Sequence, residues 1–145
     1  MTAAQYARLI DRLCSRGFPA ERGPSGLGLS GPGYHTACLS HDDEGRRGDA
    51  ADRLARRAQC LAEHEALLEL LGRRWGEPRL VSLWSAQARF LAGDAIPDPW
   101  AEFALGFDFL HLWRVEGHWI AVGMALDENG PGWELSVAVT EVAPP

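Results

Sequence analysis

The sequence predicts a single α+β domain in which a long central helix and an N-terminal helix pack on a mainly antiparallel sheet. Three observations support this fold class: an apolar helical repeat over residues 49–72, a two-residue turn at Glu116-Gly117, and a β-rich last third. The chain has 145 residues, which is enough for one hydrophobic core. We therefore expect one domain over residues 1–145.

Two helices are predicted in the first half of the chain. Residues 3–16 place four apolar side chains about one turn apart, Tyr6, Leu9, Ile10 and Leu13. Residues 49–72 carry a second apolar stripe, formed by Leu54, Ala58, Leu61, Leu68 and Leu71. At ~1.5 Å per residue the second helix is long enough to cross the whole domain.

Short elements fill the segments between the helices and the last third. The Gly-rich segment 23–33 is compatible with a short strand that contains Leu27 and Leu29, and residues 35–40 would be its hairpin partner. Residues 41–48 are polar and predict a loop. Residues 79–84 predict a strand, and residues 85–92 favour a short helix capped by Ser85, with a longer strand as the alternative.

The last third predicts a hairpin of residues 109–115 and 118–125, followed by a strand over residues 133–141. The two-residue turn pairs Trp113 with Ile120 on one face of the hairpin, and both faces carry apolar side chains. We expect the long helix to cover one face. The other face would be covered by the N-terminal segments, by a partner or by a ligand.

Charge composition narrows the range of functions. All 14 basic residues are Arg, so chemistry that depends on a lysine amine is excluded. Residues 1–74 carry 11 Arg and 10 acids, whereas residues 75–145 carry 3 Arg and 10 acids, a net charge of −7. This distribution argues against nucleic-acid binding, which requires a basic surface. It favours a basic protein partner.

The expected compartment is the cytoplasm of a bacterium with a GC-rich genome. The N-terminus has no signal-peptide pattern, and no apolar run approaches the ~20 residues that span a bilayer, so we expect no membrane association. Cys14, Cys38 and Cys60 are expected to be reduced thiols. The GC-rich origin is inferred from Arg without Lys and from abundant Ala, Gly and Pro.

Two sequence patterns resemble ligand sites without their required context. Residues 26–31 match G-x-G-x-x-G, but no helix pattern follows, so no cofactor is expected. His35, Cys38 and His41 have spacing typical of half a zinc site, and Cys60 and His64 could complete it. We expect these residues to have structural roles and the protein to need no metal.

We assign no catalytic residue from sequence. The chain has no G-x-S-x-G, H-E-x-x-H or C-x-x-C pattern. His111 and His118 share one face of the predicted hairpin and could pair with Asp108 or Glu116 as acid–base groups. Histidines in such positions are more often hydrogen-bonded structural residues.

The tryptophans are the feature that points to a function. All six lie between residues 75 and 133, inside the acidic half of the chain. Trp is frequent at the energetic centres of protein interfaces. We expect a partner surface centred on one or more of Trp100, Trp119 and Trp133, with Trp113 in the core. The alternative is that all of the tryptophans pack in the core.

The segments Leu112–Trp119 and Trp75–Pro78 resemble small uncharacterised actinobacterial proteins that end in a tryptophan-flanked hairpin. The resemblance covers residues 67–141 and implies no activity. The sequence as a whole predicts a non-enzymatic protein-interaction module. By analogy with small acidic bacterial domains, its most specific form is an immunity-like, toxin-neutralising protein. The alternative is a small-molecule-binding protein or small enzyme with a pocket between the long helix and the sheet.

Overall fold

The structure is a computed structural model that describes residues 2–26, 28–42, 49–127 and 132–145. The described helices are α1 (Ala3–Ser15), α2 (Ala50–Trp75), α3 (Trp84–Leu91) and α4 (Trp100–Gly106). The described strands are β1 (Gly23–Ser25), β2 (Gly28–Gly31), β3 (Tyr34–His41), β4 (Arg79–Ser82), β5 (Phe109–Val115), β6 (His118–Leu126) and β7 (Trp133–Thr140). These elements confirm the predicted α+β class.

The seven strands form one antiparallel sheet in the order β1-β2-β3-β7-β6-β5-β4. The predicted hairpin of β5 and β6 is confirmed with its register, since Trp113 pairs with Ile120 and Val115 pairs with His118. Glu116 and Gly117 have φ values of 50° and 82°. Positive φ at both central residues is typical of the tight turn that matches the twist of adjacent strands.

Both predicted helices of the first half are present and have polar caps. The Thr2 side chain and the Gln5 amide form a reciprocal capping box at the start of α1. Asp49 caps α2 by accepting a hydrogen bond from the backbone N–H of Asp52. These caps satisfy backbone N–H groups that have no partner within the helix.

The predicted apolar stripe of the long helix is wrong in its first half. Leu54 and Ala58 are exposed, whereas the buried residues of α2 are Cys60, Leu67 and Leu71. The buried spacing of seven and four residues still follows one helical face. The part of α2 from Cys60 onward therefore packs in the core, and the first turns do not.

α1 and α2 pack on the same face of the sheet, which we call the first face. Ile10 of α1 and Leu67 of α2 lie in one apolar cluster with Trp113, Ile120 and Val137. A bidentate ion pair between Arg74 and Asp11, at 2.9 and 3.2 Å, joins the two helices at the surface. The expected cover of one face by the long helix is confirmed.

The opposite face, the second face, is covered by α3 and α4. The expectation of cover by the N-terminal segments is wrong, because Trp100 and Phe103 of α4 lie over Leu112 and Ala121. Gly123 permits this close packing: a Cβ there would lie 2.9 Å from side-chain atoms of Leu110 and Phe107. α4 had no counterpart among the elements predicted from the sequence.

The boundaries of the shorter elements differ slightly from those predicted. β4 ends at Ser82, and α3 begins at Trp84 with Leu83 as its N-cap rather than Ser85. The predicted strand partner 35–40 is confirmed as β3, which pairs with β2. Most of the predicted loop 41–48 lies outside the described residues, as does Leu27.

Replacing Trp113 by Ala should lower the free energy of unfolding by about 3–5 kcal/mol, the usual range for truncating a buried aromatic side chain. The Trp113 ring is buried, and its indole N–H donates to the Gly76 carbonyl at 2.9 Å. Urea denaturation measures the change. Leu105→Ala removes an exposed side chain and should change stability by less than about 0.5 kcal/mol. Equal losses for both variants would contradict this assignment.

Candidate functional site

The three tryptophans expected to contact a partner occupy different environments. Trp100 and Trp133 have only 1% and 8% of their surface exposed. Their indole N–H groups donate to the Val142 carbonyl and the Ser40 hydroxyl, each at 3.0 Å. This burial corrects the expected placement of Trp100 and Trp133 at the surface, because their polar and apolar parts are already engaged within the fold.

Trp119 retains partial exposure and packs at the margin of the second face. The Arg114 guanidinium lies 4.9 Å from the centre of its ring, across the β5–β6 pair. A cation over an indole face stabilises the pair by roughly 0.5–1 kcal/mol at an exposed position. Partner contact at Trp119 stays a prediction.

The most exposed aromatic side chain is one that the sequence analysis did not select. Trp84, the first residue of α3, has 75% of its surface exposed, and Leu91 at the end of the same helix has 84% exposed. Residues separated by seven positions lie on one helical face, and exposed Ala88 lies between them. Ala86 is buried in the core on the opposite face.

Two more exposed apolar side chains lie at the same end of the sheet, on the face opposite to α3. Leu80 on β4 has 60% of its surface exposed and Phe109 on β5 has 55%. Leu80 pairs with His111 and Ser82 pairs with Phe109, so Leu80 and Phe109 are diagonal neighbours on the first face. We call Leu80, Trp84, Ala88, Leu91 and Phe109 the edge surface.

The exposure of the edge surface could not be predicted from the sequence, because α3 carries apolar side chains on two sides. Trp84, Ala86 and Phe90 alone fit a strand or a helix, and the choice of buried face depends on the sheet beneath. The sequence spacing nevertheless separates the two sides of α3. Trp84 and Leu91 are seven residues apart and share one helical face, whereas Leu83, Ala86 and Phe90 share another.

His111, the strand partner of Leu80, contacts a second imidazole. Its ring centre lies 5.9 Å from that of His64 on α2, in an edge-to-face arrangement. Burial, with a smaller effect of His111, lowers the pKa of His64 to about 4, and burial also lowers the pKa of His111. Both rings are therefore neutral at pH 7. His118 instead packs against Phe18, with ring centres 5.9 Å apart.

The candidate metal residues do not converge. The His35 ring forms hydrogen bonds with the Ser30 hydroxyl and the Arg16 carbonyl, whereas the Cys38 sulfur lies 3.6 Å from His41 Nδ1. Among the described residues, no group of three or more His, Cys, Asp or Glu side chains is arranged to hold a metal ion. Metal-independent folding stays a prediction.

Two cavities bear on the small-molecule alternative, which placed its pocket between the long helix and the sheet. A cavity of about 330 Å³ lies on the second face, between α4 and strands β3 and β7, and contains Glu102 and Glu134. Burial raises the pKa of Glu102. A cavity of about 670 Å³ lies beside the end of α1 and the β1–β2 hairpin. Neither occupies the expected position.

Comparison with known proteins gives no assignment: no family model, no curated protein and no solved structure matches this chain. None of the helices in the described ranges has both the length and the apolar composition needed to cross a bilayer. Function must therefore be argued from the chain's own surfaces and side chains.

Replacing His64 by Leu should weaken the dependence of stability on pH. Because the folded-state pKa lies below the ordinary value of 6.5, the unfolded chain takes up the proton first. Stability of the wild type should therefore fall as pH decreases from about 6.5 to about 4. One proton contributes a slope of at most about 1.4 kcal/mol per pH unit. Urea denaturation across this range measures it, and an unchanged slope in the variant would contradict the assignment.

Proposed function

We propose that this protein is a protein-interaction module and that the edge surface is its contact site. The observation that supports the proposal most directly is the exposure of Trp84 and Leu91 on the face of α3 that points away from the core. Removing apolar area from water contributes about 25 cal/mol per Å². A large, rigid indole placed in solvent is the type of side chain that dominates the energy of protein interfaces.

The net charge of the C-terminal half favours a basic partner. Residues 75–145, which contain the whole edge surface, carry 10 acids and 3 Arg. On α3 itself, Arg89 lies 3.5 Å from Asp94, which partly offsets its charge. Carboxylates around an apolar centre attract a positively charged surface during encounter and disfavour acidic partners.

The sheet itself adds a second contact mode. β4 is the last strand in the sheet order and pairs only with β5 among the described strands, so its outer edge has backbone groups without a strand partner. Such an edge can accept an additional strand from another chain. Leu80 would flank that strand on the first face, and Trp84 follows β4 after one intervening residue.

The most specific form of the proposal is an immunity-like role, in which the partner is a basic toxin domain. The net negative charge of residues 75–145 and the exposed apolar side chains of the edge surface are the features that support it. The role would require the edge surface to cover a functional region of the toxin, so the complex would be inactive while Trp84 is engaged.

Replacing Trp84 and Leu91 together by Ala should weaken partner binding by about 2 kcal/mol or more, which is about 30-fold in Kd. The test begins with affinity capture from the native source and continues with binding measurements on the purified partner. Both side chains are exposed, so folding should be unaffected. Leu54→Ala, on the exposed part of α2, is the matched control and should bind like the wild type. Binding equal to wild type in the double variant would exclude the edge surface.

Raising the salt concentration from about 0.05 to 0.5 M should slow association more than it accelerates dissociation, because surface charge acts mainly on encounter. Stopped-flow or biosensor kinetics with the recovered partner measure both rates. A salt-independent association rate would contradict the basic partner. Self-association of the wild type that is lost in the double variant would show that a second copy of the chain occupies the surface.

A further inference from the structure

A chain of hydrogen bonds lies at the other end of the sheet from the edge surface. Ser30 on β2 and His35 on β3 are directly paired residues. Ser30 Oγ lies 2.6 Å from His35 Nδ1, and His35 Nε2 lies 3.3 Å from the Arg16 carbonyl oxygen at the end of α1. The Ser25 hydroxyl lies 3.0 Å from Ser30 Oγ.

The partners of His35 determine where its proton resides. A carbonyl oxygen only accepts hydrogen bonds, so Nε2, which faces the Arg16 carbonyl, must be the protonated nitrogen. In the neutral ring Nδ1 then has a free lone pair, and the Ser30 hydroxyl donates to it. Ser30 has a single hydroxyl proton, so Ser25 is the donor in the Ser25–Ser30 contact.

This arrangement has the parts of an activated nucleophile. A hydroxyl lies within hydrogen-bond distance of a base, and a third group, the Arg16 carbonyl, orients that base. The carbonyl lies at the C-terminal end of α1, where the helix dipole favours a positive charge such as a protonated imidazole. His35 is buried, and the Phe18 ring packs over it with ring centres 4.9 Å apart.

The hydroxyl chain lies beside open space. The cavity of about 670 Å³ is lined by Ser25, Ser30 and His35, together with Arg16, Phe18 and Glu21. Cavities of roughly 300–1,000 Å³ accommodate small organic ligands. A purely structural Ser–His bond requires no such cavity, so the cavity beside Ser30 and His35 is a second, independent observation that points to a ligand.

We propose that Ser30 is a nucleophile, with His35 as its base, for acyl transfer from small esters. Ser30 Oγ would attack the ester carbonyl carbon while its proton passes to His35 Nδ1. His35 would return that proton to the departing alkoxide as the carbon–oxygen bond breaks. Water would then hydrolyse the acyl-serine, with His35 again taking and returning one proton. The Ser25 hydroxyl, which lies 3.0 Å from Ser30 Oγ, would turn its proton from Ser30 to the carbonyl oxygen that becomes negative.

This proposal goes beyond the interaction module, since it adds an enzymatic activity at a separate place in the fold. The first test uses a fluorophosphonate probe on the full-length protein, followed by intact-mass and peptide mass spectrometry. Attack by Ser30 forms an oxygen–phosphorus bond, and fluoride leaves while His35 takes the hydroxyl proton. We expect one label per chain, at Ser30, and none in Ser30→Ala.

Matched variants separate chemistry from folding. His35→Gln should slow labelling by about 10²–10⁴-fold, the usual contribution of a general base. Leu54→Ala, on the exposed part of α2 and away from this cavity, should label at the wild-type rate. No label above that of the heat-unfolded protein, or equal labelling of Ser30→Ala, would overturn the proposal and leave a structural hydrogen bond only.

A second measurement covers the case in which Ser30→Ala or His35→Gln fails to fold. Ser30→Cys keeps a nucleophile next to His35, which should favour the thiolate. Burial raises the pKa of Cys14, to about 11, and that of Cys38 and of Cys60, so the native thiols form a slow background. Iodoacetamide near pH 6.5 should alkylate the introduced thiol at least about tenfold faster than these three. Alkylation at the background rate would contradict an activating role of His35.

Discussion

The fold depends on a sheet whose central strands are apolar on both faces. Val122 and Ala121 are neighbours on β6 that point to opposite sides, as do Val137 and Ala138 on β7, and all four are fully buried. A sheet of this kind is stable only when both faces are covered. The chain meets this requirement by placing α1 and α2 on the first face and α3 and α4 on the second.

Most of the tryptophans serve the same requirement. The indole N–H groups of Trp100, Trp113 and Trp133 donate to the C-terminal tail, to the end of α2 and to β3, respectively. Each ring thus buries a large apolar area and joins segments far apart in sequence. Trp84 has no such role: its ring is exposed on a helix whose other side already packs on the sheet. Packing explains the burial of these three rings but not the exposure of Trp84, which is the observation behind the proposed contact site.

The parts of the fold that could be predicted from the sequence are those in which local chemistry determines the backbone geometry. The two-residue turn at Glu116-Gly117 determines which residues of β5 and β6 face each other, so that register followed from sequence alone. The buried side of α2 could not be predicted in the same way. Leu54 and Cys60 are both apolar, and which of them is covered depends on how far the sheet extends beneath the helix. The Ser30–His35 pair depends on a similarly local feature, the two-residue turn at Pro32-Gly33. This turn places Ser30 opposite His35 only because β2 and β3 pair with each other, and that pairing is known from the structure.

The two ends of the sheet differ in ways that favour the β4 end for a partner and leave the β1 end for small molecules. β1 is only three residues long and contains Pro24, which lacks the N–H that an added strand would need. A short edge strand that contains proline disfavours pairing with the edge strand of another sheet. β4 has neither proline nor covering side chains over Leu80, which is 60% exposed. At the β1 end, the glycine-rich hairpin and the end of α1 enclose a cavity instead of presenting a flat edge. Because Pro24 disfavours strand addition where Ser25, Ser30 and His35 meet, the proposed reaction there is one of a small molecule that fits within the cavity.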